Sequence, residues 1–308
     1  MNGPLLIAAA DLLLAASFVF QKAYGNRKGN TILDGTVFLF IVGLAKTVFF
    51  AFLCAITPES ARADFFSLFT LALAAGKELL CLIYTLIGFL LLAQGGMTLY
   101  TLFLMTGGMT LPYLYGVLFL QEKFTFLRFL GLVLIILAVI LYNFRFGKKD
   151  GKSALSPQVL LLCGAVFILN GFVSILSKRH QIETVLPTAG TFGFAFWSAL
   201  AGAIFTFLLC LIQWRKNGKE PVLAAFGIKG DFRFVLVLSV GAAFAGGFSY
   251  LLQLVGASLL PATVLYPAVT GGSILCSALA DKLFFRARLT PVQWLGLLLA
   301  VAGTCLFL

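Results

Sequence analysis

Acidic side chains are scarce in this chain, which has eleven Asp and Glu and a single His in 308 residues. An enzyme embedded in a membrane and acting on lipid or isoprenoid substrates needs such groups clustered at one membrane face; here they are scattered, and that class is set aside. Charged residues of both signs make up 11% of the chain, against about a quarter in an ordinary soluble domain, which excludes a soluble fold. The six cysteines (Cys54, Cys81, Cys163, Cys210, Cys276 and Cys305) lie inside apolar runs with no CxxC spacing. Neither a disulfide framework nor a metal site is indicated. Phosphate-binding loops, nucleophile elbows, zinc helices and catalytic triads are all missing, so no cofactor is implied and the chain is not read as an enzyme. The first apolar run has no basic residues before it and no small-residue cleavage site after it, and is expected to be a retained helix rather than a signal peptide.

What the chain has in abundance is apolar surface: 61% hydrophobic residues and a mean hydropathy of +1.06, the composition of a polytopic membrane protein. Its net charge of +11 comes from bases in short loops between apolar runs, where they set orientation instead of binding nucleic acid. Stretches long enough to cross about 30 Å of hydrocarbon as helices fall at 4–21, 34–56, 70–94, 97–120, 125–144, 157–177, 187–213, 233–258, 261–284 and 290–308. The third is interrupted by Lys77-Glu78, which leaves open that residues 65–76 lie along the interface. A polar linker at 146–156 separates five spans, residues 1–145, from five more, residues 157–308. Fifteen of the 22 Lys and Arg follow odd-numbered spans and five follow even-numbered ones, so the positive-inside rule turns both termini outward.

The two halves repeat. Shifting the first by 165 places pairs Thr125 with Thr290, Leu130 with Leu295, Gly131 with Gly296 and Leu132 with Leu297. Upstream, Leu99-Tyr100 followed by Thr106-Gly107-Gly108 is echoed by Leu265-Tyr266 followed by Thr270-Gly271-Gly272. Because each half has an odd number of spans, the halves enter the membrane in opposite senses, the inverted-repeat plan of many secondary transporters.

At the end of each half, Leu118-Phe119-Leu120-Gln121-Glu122-Lys123-Phe124-Thr125 and Leu283-Phe284-Phe285-Arg286-Ala287-Arg288-Leu289-Thr290 each lead into a helix with an early glycine. This phrase resembles the closing signature of each half of the drug/metabolite transporter superfamily, EamA type. The second half has Ala287 where the signature carries Glu, present in the first as Glu122. The resemblance implies export or exchange of a metabolite, amino acid or drug, with both termini in the cytoplasm, the reverse of the charge count.

Ionisable groups inside a membrane are costly and usually mark a pathway. Asp11, Lys46 and Glu78 sit within spans one, two and three, and antiparallel neighbours one and two bring Asp11 and Lys46 to similar depth. They are read either as an ion pair that fixes packing or as a polar pocket for a solute or a proton. Lys77 has a stem long enough to snorkel, Glu122 reads as a solvated turn residue, and His180 as an interface residue. Tyr100, Asn170, Tyr250, Gln253 and Tyr266 form a second ring of candidates, each open to a plain interhelical hydrogen bond. Tyr100 and Tyr266, at equivalent places, are expected to line one cavity. The glycine pairs Gly95-Gly96, Gly107-Gly108, Gly246-Gly247 and Gly271-Gly272 are read as close helix contacts or as hinges.

The expected fold is an all-α polytopic membrane protein of ten transmembrane helices in two five-helix inverted repeats, with one cavity near the midplane. The expected function is secondary active transport of a small organic solute across the plasma membrane by alternating access, driven by protons, another ion or exchange. A channel or structural role is the alternative. The partners are the solute, membrane lipid and protons, with a homodimer left open.

Overall fold

The computed structural model describes residues 3–28, 31–57, 63–93, 97–143, 157–228, 230–286 and 289–307. The linker expected at 146–156, together with Gly95, Gly96, Ala287 and Arg288, lies outside the described residues. Among those described, the fold is all helical without a strand. In chain order the helices are α1 (Gly3–Lys28), α2 (Ile32–Ile56), α3 (Leu68–Ala93), α4 (Met97–Leu118), α5 (Phe126–Asn143), α6 (Pro157–Gln181), α7 (Thr191–Asn217), α8 (Lys219–Ala225), α9 (Phe232–Leu259), α10 (Ala262–Phe285) and α11 (Pro291–Cys305). Each apolar run of the sequence holds one helix. Eight are long and apolar enough to cross a membrane, whereas α5 and α11 are apolar but shorter. Residues such as Phe52, Leu68, Leu161 and Leu298 point their side chains outward, an apolar surface that lipid tails can solvate.

Local sequence explains several boundaries. The Thr31 side chain accepts the Asp34 N–H to start α2, and Thr290 with Gln293 forms a reciprocal capping box ahead of Pro291 at the head of α11. Helix α3 is continuous through Lys77-Glu78, and a short 3₁₀ turn at Ala63–Phe66 precedes it. The stretch after α7, which lies between two of the apolar runs of the sequence, folds into the short helix α8. Gly218, at φ 84°, turns the chain, and Pro221 stands in the first turn of α8, where a missing N–H costs nothing.

The chain divides into two compact units: Met1–Asp11, Ile83–Ile182 and Gln253–Leu308 form the first, Leu12–Leu82 and Glu183–Leu252 the second. In the first, α10 is the most buried span, with Leu265 and Ile274 packed among Ile7, Met109, Ile135 and Leu297. Helix α4 lies on α6 and on α10, and α5 lies on α11. The α5 and α11 contact closes at glycines: a Cβ on Gly131 would stand 2.9 Å from the Gly303 carbonyl oxygen, and one on Gly303 2.9 Å from that of Gly131. In the second unit, α2 packs along α7, with Gly43 against the Ala203 backbone and Phe40 5.7 Å from Phe207.

Among the described glycines the tightest approach to another helix's backbone is Gly107 of α4 on α6, where a Cβ would stand 2.7 Å from the Phe167 Cα, and no side chain could yield because the obstacle is backbone. Gly107→Ala is therefore expected to cost about 2 kcal/mol by overpacking, read as a lower Tm of the detergent-purified protein. An unchanged Tm would mean that α4 and α6 separate freely.

Candidate functional site

Polar groups inside an apolar bundle need room and partners, and here the room comes from glycines. In the second unit, Lys46 of α2 lies against the glycine pair of α9; a Cβ on Gly246 would stand 3.6 Å from Lys46 Nζ and one on Gly247 3.7 Å from Lys46 Cγ. On α3, Glu78 lies over Gly202 of α7, whose added Cβ would stand 3.1 Å from Glu78 Oε2. The neighbouring Lys77 is 5% exposed. Its ammonium donates to Glu78 Oε1 at 2.5 Å and sits 4.3 Å from the centre of the Tyr250 ring. Lys77 therefore does not snorkel. Its charge is held inside by a carboxylate and an aromatic face.

The Tyr250 hydroxyl is buried with no hydrogen-bond partner among the described residues. Lys46 makes neither a hydrogen bond nor an ion pair there, and the charged groups within electrostatic range of it are Glu78 and Lys77. Asp11 and Lys46 belong to different units, and the carboxylate that acts on Lys46 within its own unit is Glu78.

In the first unit, Asp11 of α1 is 2% exposed. Its Oδ1 has no hydrogen-bond partner among the described residues, and its Oδ2 occupies the space a Cβ on Gly272 of α10 would need. Asn170 of α6 lies in the same way over Gly108 of α4, but is satisfied, its amide donating to the Leu104 carbonyl at 2.7 Å. The two tyrosines expected to share a cavity belong to different clusters. Tyr266 is 9% exposed within the α10 core, its hydroxyl donating to the Ser174 carbonyl at 2.7 Å. Tyr100 lays its ring on Gly88 of α3 beside Leu91 and Cys163. Gln253 is half-buried on α9.

Two residues underrated in the sequence meet at the turn from α9 to α10. Glu122, read as a solvated turn residue, reaches back from the α4–α5 turn and accepts the Ala262 N–H at 2.7 Å and the Thr263 N–H at 2.8 Å. Lys178, 4% exposed, donates to the Ala257 and Leu260 carbonyls at 2.7 and 2.6 Å. A cation on the last carbonyls of α9 and an anion on the first amides of α10 each match the local end of the helix dipole. The turn is clamped at both ends. His180, expected at an interface, is 3% exposed. The signals available were Lys178 at the end of its span and Glu122 in the closing signature. Glu122→Gln puts an amide NH₂ against backbone donors and is expected to cost about 2 kcal/mol, measured as a fall in Tm. An unchanged Tm would return Glu122 to the role of a solvated turn residue.

Among the described residues no three His, Cys, Asp or Glu gather as a metal site. A cleft between α2, α7 and α8, lined by Phe40, Phe207, Trp214 and Lys219, contains none of the candidate residues.

The model of the EamA-like transporter family matches residues 156–308. This match places the chain in the drug/metabolite transporter superfamily. Proteins of the EamA family are membrane transporters of small molecules, in keeping with the multi-pass character of the chain. No curated protein matches the chain in sequence. One solved structure, described only as "Crystal structure of protein", matches 99% of this EamA-type chain and 96% of its own, with a TM-score of 0.71 at 15% identity. At that identity the likeness is one of fold.

Proposed function

We propose that the protein is a secondary active transporter of a small organic solute, built as ten spans in two five-helix inverted repeats and coupled to protons through Asp11. Three features support the repeat. Helices α2 and α7, α4 and α10, and α5 and α11 are counterparts in the two halves, and each pair packs together, as a pseudo-two-fold axis requires. Among the described residues, the non-glycine residues with positive φ are Gln121 at 54° and Arg286 at 51°, separated by the repeat offset of the sequence. Asp11 on Gly272 and Asn170 on Gly108 are the same contact made twice, each time by the first helix of one half on the fourth helix of the other.

The observation that carries the functional reading is Asp11. Of these two equivalent polar positions, one is a hydrogen-bonded amide and the other a buried carboxyl without a partner at Oδ1, a group able to take up and release a proton. Proteoliposomes test it: saturable counterflow of a labelled solute, driven faster by an imposed pH gradient, supports a coupled carrier, whereas a flux that rises linearly with concentration means a channel.

The plasma membrane is the proposed location, with both termini outside as the charge count requires. Arg27 and Lys28, in the last turn of α1, reach Asp231, ahead of α9, at 3.0 and 3.7 Å, which supports a common side for the loops after spans one and seven. A reporter active only in the cytoplasm is expected to be active when fused after Lys149. Silence there with activity at the C-terminus reverses the orientation.

A further inference from the structure

Around Lys46 the donors outnumber the acceptors. Helices α2, α3 and α9 of the second unit contribute two ammonium groups, Lys46 and Lys77, a phenol, Tyr250, and one carboxylate, Glu78. Lys77 takes Glu78 Oε1, and the other oxygen lies over Gly202. Lys46 keeps all three of its N–H donors without a hydrogen bond among the described residues. The Tyr250 hydroxyl is equally without a partner. Tyr250 follows Gly246 by four residues on α9, so it shares the helix face that Lys46 Nζ approaches. The cluster is not sealed, since the Glu78 side chain keeps 20% of its surface against 7% for Lys77 and Lys46 is half-buried.

A surplus positive charge among apolar helices is stable only when something neutralises it. Donors that converge without an acceptor fit a ligand group that offers acceptors alone. We infer that Lys46 and Tyr250 hold the anionic oxygens of the transported solute, a carboxylate or a phosphate, so that the substrate class is organic anions and not amines or neutral solutes. Glu78 then acts as a positioning residue that keeps Lys77 occupied and Lys46 available. The inference rests on the transporter reading and adds the charge of the cargo.

The experiment measures thermal stabilisation of the detergent-purified protein by phenylacetate, succinate and inorganic phosphate, and by choline, tetraethylammonium and glycerol, all at one ionic strength. Wild type is compared with Lys46→Gln, Lys46→Arg and Tyr250→Phe, and counterflow of each labelled probe is measured in parallel. At least one anion is expected to stabilise wild type, with its apparent affinity falling about tenfold or more in Lys46→Gln and largely kept in Lys46→Arg. Response to phosphate alone or to the carboxylates alone identifies which anion the site takes. Stabilisation by choline, tetraethylammonium or glycerol only, no stabilisation by any anion, or an anion response that Lys46→Gln leaves intact overturns the inference. Should Lys46→Gln fail to fold, Tyr250→Phe carries the test, its expected result a weaker anion response and an unchanged one overturning the assignment. Saturable counterflow of a cation would leave the transporter standing while removing the anion, whereas unsaturable flux of every probe would remove the transporter itself.

Discussion

Glu78→Gln is expected to be among the most damaging single substitutions in the chain, lowering stability by about 3–5 kcal/mol. The amide cannot neutralise Lys77, whose 5% exposure leaves no water to do so, and the Tyr250 ring at 4.3 Å is a weaker partner than a carboxylate. The measurement is the Tm and folded yield of the purified protein. Because replacing both members of a buried ion pair by apolar residues is often neutral, the double variant Lys77→Met, Glu78→Met is expected to regain most of the stability while losing transport. If it transports normally, the pair only holds helices. If Glu78→Gln melts like wild type, Lys77 does not depend on it.

Asp11→Asn is expected to uncouple transport. The amide is nearly isosteric and the fold is retained, but the proton site is gone. With a gradient of about one pH unit, worth about 1.4 kcal/mol per proton, a one-proton carrier drives up to about a tenfold concentration ratio. The variant should bring the ratio back to unity while counterflow persists, since exchange needs no net proton movement. Gradient-driven accumulation by Asp11→Asn equal to wild type would reject Asp11 as the coupling group, and Glu78 would be examined next.

Most of the fold was legible because a membrane span is written locally, as a run of apolar residues whose length follows from bilayer thickness. Each of the ten runs holds one helix, eight of them long and apolar enough to cross a membrane, and α3 runs unbroken through the charges that interrupt its pattern. The site was legible only as a set of residue types. Asp11, Lys46 and Glu78 stood out by charge, yet which of them meet depends on how long side chains leave their helix. Lys77 and Glu78 are adjacent in sequence and point apart on an ideal helix, but their flexible stems fold together to 2.5 Å. The clamp by Glu122 and Lys178 joins residues about 80 and 140 positions away from the turn it holds, a separation that local patterns cannot encode. Tyr100 and Tyr266 shared a repeat position without sharing surroundings, because one found a glycine and the other a carbonyl.

The seating of polar side chains on glycines has a consequence for how this molecule tolerates change. Gly88, Gly108, Gly202 and Gly272 lie opposite Tyr100, Asn170, Glu78 and Asp11, each on a different helix from the side chain it accommodates. A methyl group at any of them moves a functional group without altering it. A library of random variants scored for activity would find its silent-looking lesions at these hydrogen-sized side chains, and the map of such lesions would be a cast of the working groups, taken from the helices that face them.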